Sequence, residues 1–277
     1  MTRILLTNDD GIDSPALAPF AQALGRLGPV SIVVPARERS WVGKAITRHD
    51  PLTVETTIRD GLTISAVDGY PADCAQIGMH ADPKGVPDMV VSGINVGYNH
   101  GQAFLMSSGT VGAAFEAALG GVPAVAVSAG IIGDWPTWSA HAWSGASLPM
   151  WERLSVVAVD LIEVLLGHGF PTDAQVLSIN LPGDATAKTE RRITRLARSA
   201  YDQLFAEQGD GTYRHAVENH QIHGDATGTD IEAAHQGAIA ITPLGLPTTG
   251  GVPDALAKEW GAARGVAQGR EDLAGRE

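Results

Sequence analysis

A single cysteine, Cys74, stands in the 277 residues, so the chain can form no intramolecular disulfide and no thiolate metal cluster. That usage suits a reducing compartment, and with no His visible nearby Cys74 reads as inert packing at a helix start. Basic residues are also scarce: 19 Lys and Arg stand against 31 Asp and Glu, for a formal net charge of -12. Binding a nucleic-acid polymer or an anionic membrane surface needs clustered cations that release counterions, so neither partner is expected. A small anion stays compatible with this balance if backbone N–H groups or a metal ion supply local positive potential. Long apolar runs are missing too, none nearing the ~20 residues of a membrane span. MTRILLTNDDG turns acidic too soon for a signal peptide, and the expected location is cytoplasmic. Aromatics make up only 5%, yet Trp135, Trp138, Trp143 and Trp151 crowd one segment. They read as core or subunit-interface packing, with nucleobase stacking as the alternative.

Hydrophobic residues amount to 44%, enough for a sizeable core. Apolar runs at Ile4 to Leu6, Val30 to Val34, Met89 to Val91 and Val122 to Val127 are bounded by Gly, Pro, Asp or Asn, as strands buried on both faces would be. Helical patterns fall between and after them at Ala16 to Leu27, Ala72 to His80, Val111 to Leu119 and Leu154 to Leu166. This alternation predicts a doubly wound, mostly parallel α/β sheet. TVETTI and LTISAV, split by Asp60-Gly61, predict an inserted β-hairpin between Leu52 and Val67. The division expected is a catalytic core over 1–190, a projecting oligomerisation arm over 191–245 that returns to the core through QGAIAITPL, and a tail over 246–277, frayed helix or disordered.

In such a sheet ligands bind beyond the carboxyl ends of the strands, which directs attention to four loops: Asn8 to Gly11, Arg37 to Ser40, Ser92 to Asn95 and Ser128 to Gly130. Asn8-Asp9-Asp10-Gly11 follows the first strand. Its adjacent carboxylates repel unless a hard divalent cation compensates, although a plain turn with Asp10 or Asp13 as helix cap is an equal reading; Asp13, before Ser14-Pro15, looks like that cap. Arg37-Glu38-Arg39-Ser40 follows the second strand, and its basic residues with Lys44 and Arg48 read as a solvated loop or an anion-steering patch. Asn95-Val96-Gly97-Tyr98-Asn99 sets two amides in a Gly-rich loop, as turn formers or as ligands. Ser107-Ser108-Gly109-Thr110 enters an Ala-rich helix whose N–H groups suit a phosphate, or is simple N-capping. Val42-Gly43-Lys44 is no Walker loop, since Glu38 and Ala45 occupy positions that need Gly and Ser or Thr. His215, His220 and His223 lack a zinc-ligand spacing and read as exposed arm residues.

Taken in order, ILLTNDDG, VPARERS, PADC, PDMVVSGINVGYNHG and SSGTVGAAFEAALGGVPAVAVS resemble the SurE survival-protein nucleotidases. The likeness is close over roughly the first 130 residues and returns in LSINLPG and GTDIEAAHQGAIAITPL. It implies a Rossmann-like fold and metal-dependent release of phosphate from nucleoside 5′- and 3′-monophosphates by attack of a metal-activated water. It further implies homodimers or homotetramers built through the C-terminal extension. It places metal ligands on Asp9, Asp10, Ser40 and Asn95, and phosphate contacts on Asn99, Ser108, Gly109 and Thr110. Asp9, Asp10, Asn95 and Asn99 are thereby the expected catalytic set, with Asp9 or Asp10 as general base. Mg²⁺ or Mn²⁺ is the expected ion, Ca²⁺ a non-native occupant. The chain departs from the family pattern at Trp41-Val42-Gly43-Lys44, Tyr70 and Ser107, on the rim of the expected pocket. Rival folds fit worse. A response regulator needs an Asp where Ser92 to Asn95 stand, and a haloacid-dehalogenase-type phosphatase needs two Asp one residue apart. An idle scaffold would not need the intact ligand set.

Overall fold

The computed structural model describes residues 1–81, 85–216, 220–248, 250–253, 256 and 258. Two compact units divide the chain at Leu246/Pro247. Everything below concerns the first, and nearly all of the expected tail over 246–277 lies outside the described residues.

The first half of the chain alternates strand and helix: β1 (Ile4–Thr7), α1 (Leu17–Leu24), β2 (Val30–Pro35), β3 (Val54–Arg59), β4 (Leu62–Val67), α2 (Pro71–His80), β5 (Met89–Val96), α3 (Gly101–Ser107), α4 (Gly109–Leu119) and β6 (Ala124–Gly130). After these come α5 (Trp135–Ala142), α6 (Leu148–His168) and β7 (Val176–Pro182). The short strands β8 (Arg191–Ile193), β9 (Ser199–Tyr201), β10 (Phe205–Glu207), β11 (Tyr213–His215) and β12 (His220–Ile222) then precede α7 (Asp230–His235) and β13 (Ile239–Leu244). Nine strands make the main sheet in the order β3-β4-β2-β1-β5-β6-β7-β13-β8. The block from β4 to β7 is parallel throughout, while β3 and β13 run antiparallel to their neighbours β4 and β7. The expected doubly wound α/β sheet with an inserted hairpin is therefore what the chain builds.

Alternation along each central strand explains why both sheet faces are covered. Ile4 and Leu6 point into a cluster with Leu17 and Phe20 of α1 and Leu154 and Ile162 of α6; Leu5 points the other way, against Cys74, Met79 and Val111 from α2 and α4. The hairpin turns on Asp60 (φ 52°) and Gly61 (φ 76°) and pairs Arg59 with Leu62. Two consecutive left-handed residues match the twist of the strands, the geometry an Asp-Gly pair favours.

Two local expectations fail. Asp13 caps nothing: α1 begins after Ala16 without a side-chain cap, and the exposed Asp13 carboxylate pairs with Arg59 at 2.6 Å. The segments that become α3 and α5 carried no helical expectation. Residues 191–246 belong to the same compact unit as 1–190. Within that stretch β8 and β13 extend the main sheet, whereas β9 pairs with β12 and β10 with β11 in two small antiparallel ribbons.

Candidate active site

At the carboxyl end of β1 the chain turns sharply. The Asn8 side chain closes the turn on itself, donating to the Gly11 carbonyl at 3.0 Å and accepting from the Gly11 N–H at 3.1 Å. This leaves Asp9 and Asp10 side by side, each only 4% exposed. One oxygen of each carboxylate is already held. Thr110 donates its hydroxyl to Asp9 Oδ1, and the Val96 N–H donates to Asp10 Oδ2 at 3.0 Å. Burial drives both acids toward protonation, Asp10 additionally through the Asp9 charge, and Glu38 pushes in the same direction on both. Among the described residues no Lys or Arg forms an ion pair with either.

The other expected ligands arrive from neighbouring elements. The Arg39 N–H donates to the Asp9 carbonyl at 2.7 Å, tying the Ser40 loop to the turn. Ser40 itself is exposed on the cavity and donates its hydroxyl to Glu38 at 2.6 Å. Asn95 reaches the same cavity because β5 breaks register against β6 between Ser92 and Asn95. Gly93 sits in that irregularity at φ 131°, where a Cβ would overlap the Val127 carbonyl, so the bulge that re-aims Asn95 depends on glycine. The Asn95 amide donates to the Gly97 carbonyl at 2.8 Å, so of its two polar atoms the oxygen is the one suited to the expected ligand role.

At the far side α4 points its N-terminus at the acids. Ser108 caps the helix, its Oγ accepting from the Val111 N–H at 3.1 Å. Gly109 permits contact between helix and turn, for a Cβ there would lie 2.8 Å from Asp9 Cβ. The first-turn N–H groups of a helix have no intrahelical partner, and here they face the sheet edge where the acids stand. Asn99 is 7% exposed. Its backbone N–H donates to Asn180 Oδ1 at 2.9 Å and its side-chain amide to Ser128 Oγ at 2.8 Å, which leaves a second amide proton for a ligand. Thr110 is fully buried and its hydroxyl is committed to Asp9, so of the expected phosphate contacts Asn99 and Ser108 line the cavity, whereas Gly109 and Thr110 do not.

A cavity of about 700 Å³ opens over these groups, lined by Asp9, Ser40, Asn95, Asn99 and Ser108 together with aromatic side chains. Among the described residues no Lys or Arg lines it. Arg37 and Arg39 pair instead with Asp68 at 3.6 and 3.0 Å, and Lys44 pairs with Glu116. Four histidines do line it, namely His100, His215, His220 and His235. His215 and His223 are exposed, as read from the sequence, but His220 is half-buried and stacks parallel to His100 at 5.9 Å. His100 is 7% exposed and its Nδ1 has no hydrogen-bond partner among the described residues; burial depresses its pKa to about 4. The Trp-rich segment divides: Trp151 is fully buried in the core, while Trp135 is 42% exposed at the cavity. His100, His235 and Asn180 carried no role in the sequence reading, and Glu38 entered only as part of the loop after β2; His100, in the loop after β5, also sat where a strand-end rule could have found it.

The family model for the survival protein SurE matches residues 4–203. The chain belongs to the SurE family. Among SurE relatives, the 5'-nucleotidase SurE of Methanocella arvoryzae is 37% identical over 253 residues, 89% of this chain and 93% of the relative. The 5'-nucleotidase SurE of Geotalea uraniireducens is 38% identical over 263 residues, covering 93% and 98%. A crystal structure of the SurE protein from Aquifex aeolicus superposes with a TM-score of 0.70 at 30% identity, covering 93% of this chain and 97% of that one. The matched stretch takes in the cavity lining from Asp9 to Trp135.

Proposed function

We propose that this chain is a metal-dependent phosphomonoesterase that releases phosphate from nucleoside 5'- or 3'-monophosphates. One observation carries the reading: two buried, like-charged carboxylates share a strand end with a helix N-terminus, and among the described residues no Lys or Arg forms an ion pair with either. Desolvated neighbouring carboxylates are tolerable when a hard cation joins them. An all-oxygen set of Asp9, Asp10, Ser40 and Asn95 suits one Mg²⁺ or Mn²⁺. The names of the SurE relatives supply the substrate class.

When bound, a divalent cation would supply Lewis-acid polarisation of a phosphoryl oxygen and a more acidic water. The chain's own residues do the rest. Thr110 and the Val96 N–H each hold one oxygen of the two carboxylates, and of the pair Asp9 lines the cavity. Ser108, the N–H group at Gly109 and the free amide proton of Asn99 bind the remaining phosphoryl oxygens and hold phosphorus in line for water attack. Asp9 or Asp10 accepts the proton of that water. The 191–245 extension is the proposed oligomerisation arm: Ile193, Phe205 and Tyr213 expose 75, 52 and 64% of their surfaces, more apolar area than an isolated ribbon keeps in water.

The test is phosphate release from a panel of nucleoside monophosphates with Mg²⁺, Mn²⁺ or EDTA. Cation-dependent release from at least one nucleotide is expected. Equal release in EDTA, or none with any cation, removes the proposal.

A further inference from the structure

Trp41 has an unusual backbone. Its φ is 61°, a left-handed conformation that bulky side chains rarely adopt and that persists only where surrounding structure enforces it. The enforcement is visible. Two residues on, the Gly43 N–H donates to the Ser107 carbonyl at 2.8 Å, and Lys44 pairs with Glu116 of α4. Gly112 leaves room for the Gly43 carbonyl, which a Cβ there would meet. The loop after Ser40 is thus fastened onto α3 and α4, and Trp41 is turned into the cavity rather than away from it.

The ring does not stand alone. Its centroid lies 4.5 Å from His215, 5.5 Å from Tyr201 and 5.7 Å from Phe104, at interplanar angles of 63, 51 and 64°. Tilted and edge-to-face contacts on three sides restrain the ring. Tyr201 is itself anchored, its hydroxyl bonded to the Ala103 carbonyl and to Ser107 Oγ. Despite these neighbours Trp41 remains 40% exposed, and it lines the cavity beside Ser40. An indole held rigidly, with open surface, one residue from a proposed cation ligand is a stacking platform for a flat aromatic group.

We infer that Trp41, braced by Phe104, Tyr201 and His215, is the seat of the nucleobase and sets the preference for nucleotides over phosphomonoesters that lack an aromatic group. This rests on the phosphatase reading above and adds to it the residue that recognises the leaving nucleoside. The core and the arm build the wall jointly, since Trp41 and Phe104 come from loops and helices around the sheet while Tyr201 and His215 come from β9 and β11.

The decisive quantity is the ratio of kcat/KM for AMP to that for ribose 5-phosphate. Aromatic stacking contributes enough that Trp41→Ala should lower this ratio about 10-fold or more, mainly through KM for AMP. Trp41→Phe should restore most of it, and Trp135→Ala, on the same cavity, should lower it less than Trp41→Ala does. Should Trp41→Ala fail to fold by circular dichroism, Trp41→Leu keeps apolar bulk without the π face and is expected to show the same fall. A parent ratio near one, an unchanged ratio in the Trp41 variants, or a larger loss in Trp135→Ala overturns the inference while leaving the phosphatase intact. Phosphate released from neither substrate sinks the phosphatase reading instead. Calorimetry with adenosine then decides the wall independently: binding to the parent that Trp41→Ala loses supports it, and no binding, or equal binding, ends it.

Discussion

Asp9 is held by Thr110 from the start of α4 and carries a backbone carbonyl that anchors the Ser40 loop, so one residue joins three elements of the site. Asp9→Asn keeps the shape and the acceptor oxygen but removes a charge. Turnover should fall by roughly 100-fold or more, the scale seen when a metal site loses a directing group. The rise in Tm produced by Mn²⁺ in the parent should vanish in the same variant, because cation binding is linked to folding. A Tm shift that survives in Asp9→Asn would place the cation elsewhere. His100 gives a second residue-scale prediction. It faces Tyr98 at 5.0 Å and His220 at 5.9 Å, with His235 on the same cavity. Burial lowers its folded pKa from 6.5 to about 4, so the unfolded chain takes up a proton more readily than the folded one. Its contribution to stability is complete above pH 6.5 and is lost as pH falls toward 4, on the order of 2 kcal/mol by pH 4.5. The burial-lowered His220 acts in the same direction. His100→Gln should flatten the Tm-against-pH curve between 6.5 and 4.5; an identical slope in parent and variant would show that His100 is charged in the fold.

At the level of elements, the bulge in β5 is what converts a buried parallel strand into a ligand-bearing edge. Gly93→Ala places a methyl against the Val127 carbonyl at a φ that L side chains avoid. We expect a loss of about 2–4 kcal/mol in denaturant unfolding and weaker cation binding as Asn95 swings away; a variant as stable as the parent would show the bulge to be incidental. Legibility in the sequence follows the same physics. Strands β1, β2, β5 and β6 were readable because burial on both faces demands unbroken Val, Ile and Leu. The hairpin was readable because Asp-Gly selects its own turn. The candidates Asp9, Asp10 and Asn95 could be singled out because a parallel sheet puts chemistry at its carboxyl edge, and Ser108 because it opens an Ala-rich helix. Helix α3 was not readable, since it is seven residues long, opens on Gly101 at φ 66° and lacks a side-chain cap. Helix α5 did carry a signal, Asp134 accepting from the Thr137 N–H with Pro136 in the first turn, which four nearby tryptophans obscured. Asp13 misled because an acid before Ser-Pro imitates a cap, whereas Arg59 on the hairpin claims it. The stacking of His220 on His100 joins residues 120 positions apart in chain number, and no local pattern announces a contact of that range.

Over the whole molecule, a chain with formal charge -12 confronts a dianionic ligand with a cavity that, among the described residues, no Lys or Arg lines. Long-range steering of the kind basic clefts provide is therefore closed to it. The α4 N-terminus contributes a partial charge of only about +0.5, opposed directly by Asp9 and Asp10. Phosphate should bind appreciably only once a cation has reversed the sign of the local potential, and by linkage phosphate must tighten cation binding by the same factor. Calorimetry can read both sides of this cycle, titrating inorganic phosphate with and without saturating Mg²⁺, then Mg²⁺ with and without saturating phosphate. A coupling of about 100-fold is expected, near the upper end of known site-to-site couplings, and it should collapse in Asp9→Asn. If phosphate binds equally well in EDTA, the helix start alone suffices to hold the anion. The paired carboxylates would then need an explanation other than a shared cation.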